Sequence, residues 1–184
     1  MGVFSKLWIT FKSYPQFLFA YMGQGGIQCE CCGNKWEIKN MLIGEYKHTL
    51  DDKKRISLPA KFRKEMGKKI VITPGLDNCL FVFTMGQWNK ISEKLSQSSM
   101  LKADSRSFNR FMFGGAVEVE IDSIGRMLIP DFLIERAGLK SRVAVIGVED
   151  RVEIWNEEGW MNYKKVVEKE ADALAEKLGQ VGVL

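Results

Sequence analysis

The chain has 184 residues, of which 46% are hydrophobic and 27% are charged, and this composition excludes a chain that is disordered throughout. Its formal net charge is +4, a weak bias towards polyanionic partners, and no uncharged apolar stretch reaches the length of a membrane span. A single histidine, His48, excludes a multi-histidine metal site within the chain, and we expect it to be an ordinary strand residue.

The first 40 residues differ in character from the rest of the chain. Residues 6–21 resemble a signal peptide only weakly, because Lys12 and Pro15 interrupt the apolar run. Three of the four cysteines cluster in residues 29–32, but a closed zinc site needs four ligands at workable spacing. We therefore predict no metal and no cofactor, and adjacent cysteines favour reduced thiols in a cytoplasmic protein.

Coding constraints indicate where translation begins. Trp36 must be encoded by TGG and Glu37 by GAA or GAG, which together give a purine-rich sequence similar to a ribosome-binding site. Three codons separate this sequence from the ATG of Met41. We expect translation to start at Met41, with residues 1–40 a non-native or disordered extension. Mass spectrometry of the native N-terminal peptide tests this, and abundant peptides from residues 2–35 would contradict it.

After Met41 the chain repeats itself. Four pairs share a constant offset of 71, namely Asp51–Asp122, Arg55–Arg126, Pro59–Pro130 and Gly67–Gly138. One inserted residue then changes the offset to 72, at which Gly75 matches Gly147 and Trp88 matches Trp160. A chance match would hardly keep these residue types in order with a single slip. We predict a first repeat over 41–95, a connector over 96–110 and a second repeat with a C-terminal helix over 111–184.

Each repeat has the same predicted order of elements, in which two strands, a short helix and two more strands lead to a longer helix. Alternating apolar, β-branched and aromatic residues predict strands at 45–50, 55–58, 69–73, 80–83, 117–121, 126–129, 143–146 and 152–155. Proline-first, glycine-last segments predict short helices at 59–67 and 130–138. Thr84 and Asn156 can cap the longer helices, which Trp88 and Trp160 anchor, and the second helix runs towards Leu178. The connector is expected to contain some helix.

The loop between the first two strands of each repeat carries an aspartate four residues before an arginine, in Asp51–Arg55 and Asp122–Arg126. Arginine suits nucleic acid because its rigid fork of donors fits phosphate or guanine. The aspartate would accept hydrogen bonds from loop amides or from the arginine, and so hold the guanidinium in one pose. An ordinary surface salt bridge is the alternative interpretation for one loop, but two such loops beside a basic segment favour DNA contact.

Charge is divided unevenly along the core. Residues 47–69 contain nine Lys or Arg and three acids, whereas residues 149–176 contain nine acids and four bases. We predict that the basic side chains around the first loop contact the DNA backbone, namely Lys53, Lys54, Lys61 and Arg63. Such an asymmetry is typical of a phosphate-facing surface with a separate, acidic, partner-facing surface. An ordinary solvated charged surface is the alternative interpretation.

Two segments carry a family resemblance. Residues 50–63 (LDDKKRISLPAKFR) resemble the first signature of the MraZ family, and residues 121–130 (IDSIGRMLIP) resemble the second. The likeness extends from Met41 to about Val167. The family commonly has glycine at the position of Lys54, as this chain has at Gly125. The first turn therefore has a lysine where a positive φ would favour glycine.

This resemblance implies an α+β fold like that of AbrB-type regulators, in which the two tandem repeats form a swapped-hairpin β-barrel with flanking helices. It also implies a homo-oligomeric ring, associated with the nucleoid, that binds repeated double-stranded DNA sites. Those sites lie in the promoter of the division and cell-wall gene cluster, where family members often act as repressors.

An enzyme and an oligomeric scaffold are the two other classes of function to compare with a DNA-binding protein. An enzyme is not predicted, because the chain has no nucleophile motif, no Walker-type phosphate loop and no metal-ligand cluster. An oligomeric scaffold that binds partners through the acidic C-terminal helix is the remaining alternative. Binding to the upstream DNA in a salt series separates the classes, since the affinity of a DNA-binding protein falls steeply with salt.

Overall fold

A computed structural model of the protein describes residues 41–182 in full and, before them, the backbone of residues 20–23, 26–29 and 35–36. The chain divides into two compact units, Met1–Asn40 and Met41–Leu184. In the first unit, three strands form an antiparallel sheet in chain order, β1 (Ala20–Gly23), β2 (Gly26–Cys29) and β3 (Lys35–Trp36). The side chains of the cysteines at 29, 31 and 32 lie outside the described residues.

The second unit runs through the same series of elements twice. The first series is β4 (Leu42–Thr49), β5 (Arg55–Ser57), α1 (Ala60–Met66), β6 (Lys69–Pro74), β7 (Leu80–Thr84) and α2 (Met85–Ser96). A connecting helix, α3 (Ala103–Gly114), leads to the second series: β8 (Val117–Glu120), β9 (Arg126–Leu128), α4 (Asp131–Arg136), β10 (Arg142–Glu149), β11 (Arg151–Asn156) and α5 (Glu157–Gln180). Each strand and helix predicted from residue 45 onwards is present, and α3 continues four residues beyond the predicted end of the connector.

The strands of the two series interleave. Six of them form one antiparallel sheet in the order β4-β10-β11-β7-β6-β8, in which β4 pairs with β10 and β8 pairs with β6. The other two, β5 and β9, pair with each other as a separate two-stranded sheet, called the ribbon below. Among the described strands these pairs do not close into a ring. Because each repeat supplies partners for the strands of the other, the two repeats share one fold.

The register of the sheet corrects one detail of the repeat alignment. Leu80 and Val152 are equivalent at the offset of 72, and they pair with Pro74 and Gly147 respectively. Pro74, and not Gly75, therefore occupies the place of Gly147. The turns that follow differ in length between the repeats, and this difference explains the shift by one residue.

The main hydrophobic core lies between the sheet and a layer made of the ribbon, α1 and α4. Equivalent residues of the two repeats fill it, and six residues of this layer have 0% exposure: Ile56, Leu58, Phe62, Met127, Ile129 and Leu133. Burial of one such side chain contributes about 1.5–3 kcal/mol. These residues fix the ribbon against the sheet.

The opposite face of the sheet packs against α2, α3 and α5. Trp88 of α2 lies with its ring centroid 6.0 Å from that of Phe83 and 5.7 Å from that of Phe113. Trp160 of α5 lies 5.5 Å from Trp155. The predicted role of the two tryptophans as helix anchors is confirmed.

The predicted helix caps are also present. The Thr84 hydroxyl accepts a hydrogen bond from the backbone N–H of Gln87 at 3.1 Å, and the Asn156 side-chain oxygen accepts one from Glu158 at 3.0 Å. Each bond satisfies a donor that the first turn of a helix leaves unpaired.

His48 and Cys79 carry potentially reactive side chains, and both are at least half-buried within the fold. His48 lies half-buried in β4, where burial, followed by the charge of Arg63, lowers its pKa. Burial raises the pKa of the Cys79 thiol to about 12, and the thiol donates to the carbonyl oxygen of Leu76 at 3.0 Å.

Within residues 41–182, His, Cys, Asp and Glu side chains do not gather into a metal-binding group. The helices that the structure describes lack the length and apolar character needed to cross a bilayer.

Candidate nucleic-acid interface

The first Asp-x-x-x-Arg loop closes through contacts between its two ends. The Asp51 carboxylate accepts hydrogen bonds from the backbone N–H of Arg55 at 2.8 Å and from its Nε at 2.9 Å. Nη2 of Arg55 lies 2.9 Å from the same carboxylate. The backbone N–H of Lys54 donates to the Asp51 carbonyl at 2.9 Å, which completes a tight turn.

The second loop has matching contacts. Asp122 accepts from the backbone N–H and the Nε of Arg126, both at 2.8 Å. Its carboxylate also accepts from the backbone N–H of Ile124 at 3.1 Å. The N–H of Gly125 closes the turn on the Asp122 carbonyl at 2.9 Å. Each loop therefore holds its arginine by the same backbone and side-chain bonds.

These contacts lower the pKa of both aspartates. For Asp51 the largest cause is the hydrogen bond from the backbone N–H of Arg55, and the Arg55 side chain lowers the pKa further. For Asp122 the backbone N–H of Arg126 has the same leading effect. Both carboxylates are thus ionised at neutral pH, where each is paired with its arginine.

The two turns share a left-handed residue at the same position. φ is 59° at Lys54 and 83° at Gly125, so the lysine adopts the conformation that favours glycine. At Gly125 a Cβ atom would also collide with the side chain of Arg63, which would have to shift. The second repeat has Ile134, a shorter side chain, at the position equivalent to Arg63.

Both arginines emerge on one face of the ribbon. The register pairs Arg55 with Leu128, Ile56 with Met127, and Ser57 with Arg126. Since Ile56 and Met127 point into the core with 0% exposure, alternation directs their neighbours outward. The Arg55 and Arg126 side chains remain 27% and 30% exposed. They are diagonal neighbours on the ribbon, and residues in this relation lie about 7–8 Å apart.

The predicted basic residues have different surroundings. Lys53 is exposed in the first loop, and the Lys54 ammonium pairs with Asp131 of α4. Lys61, exposed on α1, donates to the carbonyl of Ile43 at 3.4 Å. Lys53 and Lys54 therefore lie in the Arg55 loop, whereas Lys61 lies beside β4.

Arg63 differs from the lysines because it is half-buried. Its Nε donates to the carbonyl oxygen of Leu58 at 2.7 Å, and its Nη2 donates to the Ser57 hydroxyl at 3.0 Å. The same side chain fills the space beside Gly125. Arg63 thus links β5 to the second loop.

Three further residues share this surface and were not selected from the sequence. Ser57 and Leu128 lie on the outer face of the ribbon, and Ile124 lies in the second loop. Leu128 is 53% exposed and Ile124 is 56% exposed. Strand alternation relative to the buried Ile56 and Met127 is the signal that could have identified the ribbon residues.

Comparison with known proteins assigns both repeats to the same family model. A family model described as "MraZ protein, putative antitoxin-like" matches residues 41–111 and again residues 112–180. A protein of Caldanaerobacter subterraneus is 48% identical over 143 residues, which cover 78% of this chain and 100% of the relative. A protein of Moorella thermoacetica is 49% identical over 138 residues, covering 75% and 96%. A protein of Clostridium acetobutylicum is 43% identical over 143 residues, covering 78% and 100%. Each of the three relatives is named transcriptional regulator MraZ.

Proposed function

The chain belongs to the MraZ family, and we propose that it is a sequence-specific DNA-binding transcriptional regulator that presents its ribbon to the duplex. The observation that carries this proposal is the placement of Arg55 and Arg126 on one solvent-facing surface, each held by an aspartate of its own loop. A two-stranded ribbon fits the major groove of B-DNA, where an arginine can donate two hydrogen bonds to guanine. Lys53 and Lys54 would contact phosphate, and Arg63 would support the ribbon.

Footprinting the Met41–Leu184 protein on the DNA upstream of its own gene tests this function. The proposal predicts protection at repeated sites and an affinity that falls steeply as salt rises, because bound lysines and arginines displace counterions from phosphate. Binding that does not change between low and high salt, or the absence of any protected site, would contradict it.

We infer repression of the division and cell-wall gene cluster as the regulatory outcome, following the family resemblance. A protein bound to repeated promoter sites blocks access of the transcription machinery. Transcription from a reporter fused to that promoter should rise when the gene is deleted and fall when the protein is overproduced. The opposite responses would establish activation instead.

A homo-oligomer, in the form of a ring, is the assembly that we propose. A single ribbon covers only a few base pairs, and linked copies on repeated sites would multiply weak contacts. The apolar face of α5 supports this assembly. Trp160 and Tyr163 on that face pack against Trp155 of β11, whereas Leu174 and Leu178 further along the same face are 39% and 44% exposed. A head-to-tail contact made by such a stripe closes into a ring when its rotation permits.

The same stripe favours the scaffold as the second candidate function. A partner protein seated on Leu174 and Leu178 would bury the apolar face without any contact between copies of this chain. A chain that stays monomeric at high concentration, with full DNA binding, would favour this second candidate over the ring.

The swapped-hairpin β-barrel is the finer fold that we propose for the interleaved repeats. An isolated bridge between Leu50 and Ile56 links the end of β4 to the ribbon, which supports closure of the strands around the main core. Backbone hydrogen bonds from β4 to β5 and from β8 to β9, detected by NMR, test this arrangement.

A further inference from the structure

The DNA-facing surface has an apolar half. Leu128 lies on the outer face of the ribbon, directly opposite Arg55, and is 53% exposed. Ile124 lies in the second loop between Asp122 and Arg126 and is 56% exposed. Two large apolar side chains thus accompany Arg126 where the proposed function requires contact with DNA.

The first repeat has polar residues at the equivalent positions. At the offset of 71, Leu128 corresponds to Ser57 and Ile124 corresponds to Lys53. The backbone bonds of the two loops match, so the difference lies in the side chains alone. The two halves of the ribbon therefore have the same backbone conformation, but the first half has polar side chains where the second half has apolar ones.

A packing role alone does not account for this asymmetry. Ser57 accepts a hydrogen bond from Arg63, and the second repeat has Leu128 and Ile134 at the positions of that polar pair. Ile134 packs against the main core and is half-buried, but more than half of Leu128 remains open to solvent. Ile124 is exposed to a similar degree, and its backbone N–H, not its side chain, secures the turn.

The major groove offers one apolar group to such side chains, the C5-methyl of thymine. Phosphate oxygens and the donor and acceptor atoms of the base edges require charged or hydrogen-bonding partners, which the side chains of Leu128 and Ile124 cannot supply. Resting on the proposed DNA-binding function, we propose that Leu128 and Ile124 contact thymine methyl groups beside the base contacted by Arg126. The second repeat then selects thymine by direct contact, whereas the first repeat, with Ser57 and Lys53, makes polar and phosphate contacts.

The test compares two versions of the upstream DNA fragment, one containing thymine and one amplified with deoxyuridine in its place. Wild-type protein should bind the thymine DNA more tightly, by about fourfold for each buried methyl group, the factor that corresponds to about 0.8 kcal/mol. Leu128→Ser, which copies Ser57, should bind the two fragments with a smaller difference. Leu101→Ser, in a turn where Leu101 is 91% exposed, is the matched control and should keep the wild-type preference.

Ile124→Lys, which copies Lys53, is a second variant at an exposed loop position that does not depend on packing. It should also reduce the preference for thymine while making binding more dependent on salt. Uracil can change the stiffness of the duplex, but such an effect would be the same for every variant. The test therefore rests on how far Leu128→Ser and Ile124→Lys reduce the ratio of the affinities for thymine DNA and deoxyuridine DNA relative to wild type.

The outcomes separate the two proposals. If wild-type protein binds both fragments equally, or if both variants keep the full preference, the methyl contact is wrong. Arg126→Ala then shows whether DNA binding itself stands, because that variant should lose affinity for both fragments. If neither fragment is bound by wild-type protein, the DNA-binding function and the thymine contact fail together.

Discussion

An aspartate beside a surface that binds DNA would repel phosphate, so the proposed interface requires a local explanation for Asp51 and Asp122. Each carboxylate contacts the Nε edge and the backbone N–H of its own arginine. A guanidinium has further N–H donors on its opposite edge, which in the proposed complex would face a base or a phosphate. The contacts with aspartate set the pose of the arginine before DNA binds, and this would reduce the loss of side-chain entropy on binding.

The aspartate contacts predict an acid-dependent loss of loop order. The pKa of each aspartate is lowered in the folded protein, chiefly by the backbone N–H of Arg55 or Arg126. The stabilisation is therefore complete above the ordinary aspartate pKa and is lost as pH falls through the lowered value. The Nε–H resonances of the two arginines should shift together in that acidic window in an NMR titration. Signals that do not change until the whole protein unfolds would contradict the pairing.

Substitutions at the left-handed position of the turn are expected to have unequal effects on stability in the two repeats. Gly125→Ala should lower the free energy of unfolding by about 1–2 kcal/mol from backbone conformation, and further because its Cβ would collide with Arg63. Lys54→Gly, at the equivalent φ, should leave stability within about 1 kcal/mol of wild type. Urea denaturation measures both. Wild-type stability in Gly125→Ala, or a Lys54→Gly protein as unstable as Gly125→Ala, would contradict this account.

At the scale of the elements, the ribbon depends on residues directed to its two faces. Met127 is fully buried in the main core, whereas the next residue, Leu128, is 53% exposed. Met127→Ala should lower the free energy of unfolding by about 2–5 kcal/mol, and Leu128→Ala should lower it by less than about 1 kcal/mol. Chemical denaturation of the two variants is the measurement. A Leu128→Ala protein as unstable as Met127→Ala would place Leu128 in the core.

Most of the elements could be predicted from the sequence, because their signals are local. Alternating apolar residues fix the strands, and Thr84 and Asn156 bond to the helices that directly follow them. The aspartate and arginine of each loop are four residues apart, so their contact also follows from nearby sequence. These interactions form wherever the chain adopts the local conformation.

The pairing of strands between repeats could not be predicted from local patterns alone. Arg55 lies opposite Leu128 because the buried Ile56 and Met127 meet beneath the ribbon, and that contact depends on the whole core. The contact of Arg63 with Gly125 could not be predicted from local sequence for the same reason, because the two residues belong to different repeats. The assignment of Gly75 to the place of Gly147 was wrong, because a match of residue type does not reveal the register of a sheet.

At the scale of the whole molecule, the exposed apolar stripe of α5 can bind either a second copy of this chain or another protein. The helix has 24 residues, about 36 Å, and its apolar face continues past the part that packs on the sheet. Leu174→Lys should reduce the oligomer mass measured by light scattering, because it places a charge on the exposed stripe. Ala173→Lys, which adds the same charge on another face of the helix, should not. A homo-oligomer unchanged by Leu174→Lys would exclude this stripe as the contact.

Within one chain, the tandem repeat fixes the distance between the two arginines that we propose contact DNA. Their diagonal placement on the ribbon depends on the shared core and not on assembly, so one subunit would present both to the same duplex. Assembly would add further ribbons, and the affinity for repeated sites would rise with their number.

The most direct test of this account is the affinity of Arg55→Ala and Arg126→Ala for the upstream DNA, in gel-shift titrations at fixed salt. Each substitution should weaken binding by the loss of about 1–3 kcal/mol while the oligomer stays intact, and Arg110→Ala on α3 should bind like wild type. Wild-type affinity in both ribbon variants would contradict the claim that the paired arginines contact DNA.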